Sequence, residues 1–288
     1  MHWSQRRQTF REILSSDLCI YPGSVYDPLS ARMAEDLGFE AAMFAGSTAS
    51  LTVLGAPDII LLTLSEFAAQ ALRINRATRM PLVVDADHGY GNALNVRRTV
   101  EELETAGVAA MTIEDTLLPK PYGSTGAELV SIEEGVGKMR AALDGRQDPA
   151  LVIAGRTSAP SITGLDDAIR RLQAYEKAGV DMLMVLGIKS LDELKAIKER
   201  VSLPLMLGGA GAKLAPREAL AEYGVRICLQ GHQPIAAAAK AAYDTLKALR
   251  EGTPPADLDG LPAGDFMKNL MRQSAIEQDI AEFLGDES

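Results

Sequence analysis

Short apolar runs alternate with amphipathic stretches along almost the whole chain. The apolar runs predict eight strands, at residues 18–21, 41–46, 81–87, 109–115, 151–157, 182–187, 203–208 and 225–231. Between them, apolar residues recur at helical spacing, for example at 95–106, 165–178 and 191–200. Strands that alternate with helices are typical of a parallel sheet, and eight such units predict a (β/α)8 barrel of the TIM type.

The last part of the sequence departs from this alternation. Residues 233–250 are rich in alanine and predict a final barrel helix, so we expect the barrel domain to cover residues 1–252. Residues 253–288 contain a linker rich in proline and glycine, followed by a helical pattern at 265–284. A ninth helix has no place in the ring of a barrel. We therefore expect it to pack on the open end of the barrel or, as our preferred hypothesis, to be swapped onto a neighbouring subunit.

Composition limits the classes of function. Hydrophobic residues make up 47% of the 288 residues, enough for a sizeable core. The net charge of −10 argues against a general nucleic-acid binder, which needs a basic face. We find no apolar run of membrane-spanning length and no secretory-signal pattern, so we expect a cytoplasmic protein. Cys19 and Cys228 lie far apart without metal or redox spacing, which predicts two buried thiols and no disulfide.

Acidic residues follow two neighbouring predicted strands. Asp85 and Asp87 end the third strand, and Glu114 and Asp115 end the fourth. Residues two apart on a strand point to the same side, and crowded carboxylates repel one another unless a cation lies among them. Carboxylate oxygens favour Mg²⁺ or Mn²⁺ over Zn²⁺. The alternative is that these acids cap helices or lie in solvent at the barrel rim.

Three other polar residues stand at predicted strand ends, where barrel active sites lie. Arg156 offers a planar fork to a carboxylate or phosphate, or else forms an internal ion pair with one of the acids. Ser47 follows Gly46 and could present its hydroxyl to an anion, although such residues are also ordinary in turns. His232 follows the last strand, where it could contact a substrate carboxylate, donate a proton, or cap the next helix.

Taken together, these motifs resemble the phosphoenolpyruvate mutase and isocitrate lyase superfamily. The similarity runs in order from about residue 22 to about residue 233. It is carried by Asp-Ala-Asp-His-Gly-Tyr-Gly-Asn at 85–92, Ile-Glu-Asp at 113–115 with Pro-Lys at 119–120, Gly-Arg-Thr at 155–157, Tyr-Asp-Pro-Leu-Ser-Ala at 26–31 and Leu-Gly-Ala-Pro-Asp at 54–58. An ordered set of this kind is more specific than any single motif.

The resemblance implies an enzyme that needs Mg²⁺, with Mn²⁺ as an alternative ion, and that acts on α-oxo acids. By this similarity Asp85 binds the metal directly, whereas Asp87 and Glu114 hold its water molecules. Ser47 and Arg156 would hold the C1 carboxylate and the oxo group of the substrate. The family also implies a homotetramer, a dimer of dimers that exchanges its terminal helix.

Departures from the family pattern narrow the expected activity. The lyases carry a Lys-Lys/Arg-Cys-Gly-His loop whose cysteine supplies a proton, but this chain has Lys-Pro-Tyr-Gly-Ser at 120–124. The phosphonate mutases carry an asparagine where this chain has Tyr122. What remains is similar to the oxaloacetate decarboxylase branch, in which a histidine follows the last strand, matched here by His232. The implied reaction converts oxaloacetate to pyruvate and CO₂, with His232 at the C4 end of the substrate.

Other functions remain open at this point. Hydrolysis of oxaloacetate to oxalate and acetate would use the same metal and the same substrate contacts. A C–C lyase acting on a related diacid is disfavoured by the missing cysteine. A protein that binds an α-oxo acid without catalysis is the alternative from another class, although an intact set of acids and Arg156 argues against it.

Overall fold

The computed structural model describes residues 2–209 and 211–285. The strands are β1 Gly23–Ser24, β2 Ala42–Phe44, β3 Leu82–Asp85, β4 Ala110–Glu114, β5 Val152–Thr157, β6 Met182–Val185, β7 Leu205–Leu207 and β8 Val225–Cys228. The helices are α1 Trp3–Ser15, α2 Pro28–Asp36, α3 Gly46–Ala49, α4 Leu64–Ala77, α5 Ala93–Thr105, α6 Ile132–Gly145, α7 Ala159–Ile162, α8 Leu165–Ala178, α9 Leu191–Lys198, α10 Gly211–Leu214, α11 Arg217–Glu222, α12 Gln233–Arg250, α13 Gly264–Leu270 and α14 Gln273–Leu284.

The eight strands form one parallel sheet in chain order, as predicted. A parallel bridge between Ile20 and Ile227 joins the last strand to the start of the chain and closes the ring. The predicted first strand at 18–21 is reduced to this single bridge, and β1 begins only at Gly23. Pro22 lies between the two, and a proline lacks the N–H that a continuous ladder requires. The (β/α)8 barrel is confirmed.

The interior of the barrel is filled by small and flexible side chains. Inward positions of the strands carry alanines and methionines, including Met43, Met182, Met184 and Met206, all at most 2% exposed. Phe10 and Leu14 of α1 belong to the same buried cluster, so α1 packs against this interior. A second, larger cluster lies between the strands and the outer helices. The sequence pattern did not predict α1.

The chain divides into two compact units, Met1–His232 and Gln233–Ser288. In the second unit, α12 has the predicted bounds, and none of its residues is buried. The predicted helix at 265–284 is instead two helices, α13 and α14, separated at Arg272, whose left-handed φ of 59° ends the continuous helix. The prediction of one helix there is wrong. The domain boundary at residue 252 and the swap stay predictions, and residues 286–288 lie outside the described residues.

Two further expectations concern cysteines and membranes. Cys19 and Cys228 are both buried, and the two thiols form no disulfide, as expected. Within the described ranges, no helix combines the length and the apolar character that crossing a bilayer requires.

Candidate active site

Polar side chains from several strands meet at the carboxyl ends of the barrel. Asp85 is the last residue of β3, Glu114 is the last of β4, and Arg156 lies one residue before the end of β5. Ser24 ends β1, and His232 follows β8. In TIM barrels this end of the strands carries the active site. The structure therefore brings together four of the six residues that the sequence singled out, while Asp87 lies just beyond β3 and Ser47 lies on α3.

Arg156 links the two acidic strand ends. Its Nη1 atom contacts Oδ2 of Asp85, and its Nη2 atom lies 3.1 Å from Oε2 of Glu114. All three side chains are largely buried, with 13%, 14% and 6% of Arg156, Asp85 and Glu114 exposed. Burial alone would lower the pKa of Arg156, but the two carboxylates raise it overall, so the guanidinium stays charged. The internal ion pair considered from the sequence is present.

Asp85 is held in place by its neighbours. Its Oδ1 atom accepts a hydrogen bond of 2.9 Å from the Thr112 hydroxyl and another of 3.2 Å from the Asp87 N–H. The oxygen that faces Arg156 is Oδ2. The orientation of this carboxylate is therefore set by Thr112 on β4, by the Asp87 N–H just beyond β3 and by Arg156 on β5.

Asp87 lies just beyond the end of β3, in a left-handed conformation with φ of 48°. The sequence argument that Asp85 and Asp87 share one strand face is therefore wrong, because the strand ends at Asp85. The Asp87 carboxylate still reaches the site by this turn. It lies over Gly46, where an added Cβ would come within 2.6 Å of Oδ2. Gly46 therefore has to lack a side chain for the carboxylate to sit there.

The loop that carries Asp87 contains several left-handed residues and is held by a hydrogen bond from α6. Four of its residues have left-handed φ values: Asp87, Gly89, Tyr90 and Gly91. Lys138 of α6, only 2% exposed, donates a 2.8 Å hydrogen bond from Nζ to the carbonyl of His88. His88 itself is buried, and burial lowers its pKa to about 4, so its ring is neutral at pH 7. A loop in this conformation persists only when its surroundings hold it.

The carboxylates crowd one another electrostatically. Burial, followed by the charges of Asp85, Asp58 and Glu114, raises the pKa of Asp87 well above its usual range. Burial also raises the pKa of Glu114, although Arg156 opposes this effect. A site that disfavours its own negative charges gains stability from a cation. The raised pKa values of these carboxyl groups therefore indicate a site that favours binding of a metal cation.

The residues fit a magnesium ion that has one direct carboxylate ligand and keeps most of its water molecules. Within the part of the chain that the structure describes, no group of three or more His, Cys, Asp or Glu is arranged to hold a metal directly. Mg²⁺ usually keeps several of its waters and takes only one or two carboxylates from the protein. Asp85 as a direct ligand, with Asp87 and Glu114 bound to the ion's waters, agrees with this preference and with the crowding of charge.

His232 is fixed by a residue that the sequence analysis did not select. The Ser24 hydroxyl lies 2.8 Å from Nδ1 of His232. Burial lowers the pKa of His232, and the charges of Asp85 and Asp58 oppose this effect. The ring is therefore neutral at pH 7 and faces the acidic side of the mouth. Ser24 carries no motif and no recognised spacing, so only the geometry reveals it.

Asp58 also belongs to the mouth and was missed as a functional residue. Partial burial and the charge of Asp85 raise its pKa, while Arg156 and His232 lower it, which places Asp58 in the field of all three. It lies on the segment between a π-helix at Ser50–Leu54 and α4. The segment 54–58 carried part of the family resemblance, and that was the available signal.

Two other sequence candidates have different outcomes. Ser47 is the second residue of α3, next to Gly46 and hence near the Asp87 carboxylate. Asp115, the neighbour of Glu114, points away from the mouth. It accepts hydrogen bonds of 3.1 Å from Arg171 Nη1 and 2.6 Å from the Tyr175 hydroxyl. Successive residues at a strand end face opposite sides of the sheet, so Glu114 alone enters the site.

Comparison with known proteins places this geometry in a family. The model of the phosphoenolpyruvate phosphomutase family matches residues 10–250 of the chain. The chain belongs to this family. Relatives named oxaloacetate decarboxylase share 58% identity in Bradyrhizobium diazoefficiens and 55% in Rhodopseudomonas palustris, over 285 residues and 99% of both chains in each case.

Solved structures of the phosphoenolpyruvate phosphomutase family share the fold. A phosphonopyruvate hydrolase in complex with oxalate and Mg²⁺ is 30% identical, with a TM-score of 0.86 over 97% of this chain and 99% of the other. An oxaloacetate acetylhydrolase in complex with 3,3-difluorooxalacetate is 29% identical, with a TM-score of 0.85 over 99% of both chains. The superfamily expected from the sequence motifs is thereby confirmed.

Proposed function

We propose that this protein is a Mg²⁺-dependent oxaloacetate decarboxylase that forms pyruvate and CO₂. The observation that carries the proposal is the similarity of 54–58% identity over 99% of the chain to relatives of that name. The charge pattern of the mouth supports it, because a buried arginine, a neutral histidine and a crowded acidic cluster suit a small dianion and a divalent ion.

A bound Mg²⁺ would supply Lewis-acid polarisation of the C2 oxo group and would stabilise the negative charge that develops there. Asp85 would ligate the ion, while Asp87 and Glu114 would orient its waters. Mn²⁺, which accepts the same oxygen ligands, is the alternative ion.

The chain's own groups would hold the substrate in the reactive geometry. Arg156 lies near the end of β5 and stays charged beside Asp85 and Glu114, so it would also bind the C1 carboxylate and oxo end of a substrate at this cluster. Ser47 would donate to the same end. His232 would contact the C4 carboxylate, which has to stay outside the reach of the metal. A metal contact there would stabilise the ground state and not the transition state.

Decarboxylation leaves a carbanion equivalent at C3 that needs one proton. The C3–C4 bond breaks, its electron pair moves into the C2 oxo system, and CO₂ leaves without a proton. Water, or an acid at the mouth such as Asp58, then supplies the proton to C3. Within this scheme Arg156 does not titrate, since the carboxylates beside it raise its pKa.

His232→Ala tests the role of the histidine. We expect kcat for oxaloacetate to fall about 10-fold or more, because orientation of the scissile bond is lost. The dissociation constant for Mg²⁺, measured by titration calorimetry, should change less than twofold. His2→Ala, which removes an exposed histidine from the N-cap of α1, is the matched control. Unchanged kcat in His232→Ala would remove the residue from the mechanism.

Oxaloacetate hydrolysis to oxalate and acetate is the second candidate. The structural similarity to an oxaloacetate acetylhydrolase favours it, because this enzyme shares the fold over 99% of both chains. Its identity of 29% is about half that of the relatives named decarboxylase. The decarboxylase is therefore the better supported of the two.

The assembly and compartment complete the proposal. The α12 helix has no buried residue, and it exposes 66% of Tyr243 and 68% of Leu246, so this apolar surface suits burial against a second copy of the chain. We propose a tetramer in which the helices beyond residue 252, α13 and α14, are swapped between subunits. Two buried thiols that form no disulfide suit the reducing cytoplasm, which is the expected compartment.

A further inference from the structure

Ser24 is the last residue of β1, the shortest strand of the sheet, and its side chain faces the inside of the barrel. Side chains alternate between the two faces of a strand. On one side of Ser24, a Cβ at Gly23 would meet Cβ of Ala34 in α2 at 2.9 Å, so Gly23 faces the outer helices. On the other side, Val25 belongs to the buried cluster between strands and helices. The Ser24 hydroxyl therefore points into the barrel mouth.

The hydroxyl of Ser24 and the ring of His232 form an isolated pair. The distance from Oγ to Nδ1 is 2.8 Å, and the two residues are 208 positions apart in the chain. Among the residues that the structure describes, neither group makes another side-chain hydrogen bond with the protein. Ser24 comes from β1 and His232 follows β8, so the bond spans the closure of the barrel.

A neutral imidazole carries its proton on only one of its two nitrogens, and the partner of one nitrogen decides the state of the other. Burial lowers the pKa of His232, so the neutral ring is the relevant form at pH 7. The carboxylates of Asp85 and Asp58 act on the ring from the mouth. If Nε2 carries the proton, the ring directs an N–H and not a lone pair toward this negative charge. The Ser24 hydroxyl can then donate its hydrogen to the lone pair on Nδ1.

We propose that the Ser24 hydroxyl donates to Nδ1 of His232 and thereby fixes the Nε2–H tautomer, so that the ring presents a neutral hydrogen-bond donor to the C4 carboxylate of the substrate. Ser24 is in this sense a positioning residue, since it acts through His232. The inference rests on the proposed function for the identity of the substrate, but the tautomer itself does not depend on it.

A neutral donor suits the departing group. One hydrogen bond to the C4 carboxylate orients the C3–C4 bond perpendicular to the plane of the C2 oxo group, where its electron pair can enter the π system. An imidazolium would bind the charged carboxylate more strongly than the neutral CO₂ that it becomes, and would stabilise the ground state. The opposite tautomer would place a lone pair against the carboxylate and repel it.

Nitrogen NMR of the full-length protein tests the tautomer directly. The protein is labelled with ¹⁵N histidine and measured at pH 7.5 with Mg²⁺ and without substrate. The signals of His232 are those lost in His232→Gln, since the chain has 3 histidines. We expect Nδ1 at a pyridine-like shift and Nε2 at a pyrrole-like shift with its attached proton. A proton on Nδ1 in the wild-type protein would overturn the proposal.

Substitutions at Ser24 connect the tautomer to turnover. Ser24→Ala should average the two His232 nitrogen shifts and lower kcat about 3- to 10-fold, the rate equivalent of one neutral hydrogen bond. Ser24→Thr, which keeps the hydroxyl, should restore both the shifts and most of kcat. Ser16→Ala is the matched control, because that hydroxyl bonds the Ile13 carbonyl at the end of α1. It should change neither measurement.

The outcomes separate this inference from the proposed function. A His232 signal in Ser24→Ala that keeps the Nε2–H pattern shows that Ser24 does not set the tautomer and overturns the inference. Averaged shifts with unchanged kcat overturn the positioning role in the reaction. If no variant, wild type included, turns over oxaloacetate, the proposed function fails. In that case the nitrogen shifts alone still decide whether Ser24 sets the tautomer.

Discussion

At the residue scale, the main feature of the site is repulsion among buried carboxylates, which a bound metal cation would relieve. Asp87 shows this best, since burial, Asp85, Asp58 and Glu114 all raise its pKa. The unfolded chain releases this proton near the ordinary pKa of about 4, before the folded protein does. Without a metal, stability therefore falls as the pH rises from about 4 toward the raised pKa.

Asp87→Asn removes this penalty. In EDTA at pH 7.5, we expect the variant to melt at least about 2 °C above the wild type, the shift that roughly 1 kcal/mol produces in a protein of this size. The gain should vanish well below pH 4, where Asp87 is protonated in both the folded and the unfolded state. Added Mg²⁺ should raise the Tm of the wild type more than that of the variant. Differential scanning fluorimetry measures all three.

The control for this experiment is Asp17→Asn, because the Asp17 side chain is fully exposed and its 3.6 Å ion pair with Arg226 contributes little to stability in solvent. It should leave Tm unchanged in EDTA and in Mg²⁺. An Asp87→Asn protein that melts below the wild type in EDTA at pH 7.5 would contradict the account of charge crowding.

The sequence identified the functional residues at the strand ends but not all the residues that contact them, nor the backbone conformation at Asp87. Asp85, Glu114 and Arg156 were predictable because parallel strands deliver their carboxyl ends to one mouth. Ser24 and Asp58 were not, because a serine on a two-residue strand and an aspartate in a loop carry no periodic signal. Asp87 was predicted for the wrong reason, since a left-handed turn and not a strand brings it to the site.

At the element scale, a buried network joins β4 to the helices behind it. Asp115 accepts hydrogen bonds from Arg171 and from the Tyr175 hydroxyl, both on α8. Gly135 of α6 leaves room for that hydroxyl, because a Cβ there would lie 2.4 Å from it. The network fixes the residue next to Glu114 and thus the end of β4.

Replacing two glycines of α6 by alanine should change the free energy of unfolding in opposite directions. Gly137→Ala has no neighbour within 4 Å of its new Cβ and should stabilise the protein by about 0.5–1 kcal/mol, as glycine-to-alanine changes in helices do. Gly135→Ala should destabilise it by about 1–3 kcal/mol, because the Tyr175 hydroxyl is displaced from Asp115. Urea denaturation gives both values. Equal effects of the two substitutions would contradict the role of the network.

The elements themselves were predictable to different degrees. Strands at the centre of the sheet were predicted within a few residues, since buried parallel strands read as continuous apolar runs. The helix α1 was missed because its buried face includes Arg6 and Arg7, whose charges hide the apolar pattern. The break between α13 and α14 was missed because Arg272, a non-glycine residue, takes the left-handed conformation.

At the scale of the whole molecule, the barrel follows from the repeated units, whereas the assembly does not. Each βα unit can be recognised locally, and eight of them in chain order close the ring. The residues of α12 are not buried, so the pattern of apolar positions in one chain does not identify a partner for this helix.

Leu246→Glu tests the proposed assembly. The residue is 68% exposed on α12, and Tyr243 beside it is 66% exposed. A charge on a buried subunit contact is costly, so we expect the variant to dissociate into smaller species in sedimentation velocity. Asp244→Lys, nearly opposite on the same helix, is the control and should sediment like the wild type. Wild-type sedimentation of Leu246→Glu would contradict the swapped assembly.

The most direct test of the proposed reaction is product analysis with oxaloacetate. Purified protein is incubated with the substrate and Mg²⁺, then with excess EDTA, and each sample is examined by a pyruvate-coupled assay and by NMR beside a protein-free metal control. The account predicts pyruvate and CO₂ formed faster than in the metal control, with the excess lost in EDTA. Acetate and oxalate, or no product beyond the metal control, would contradict it.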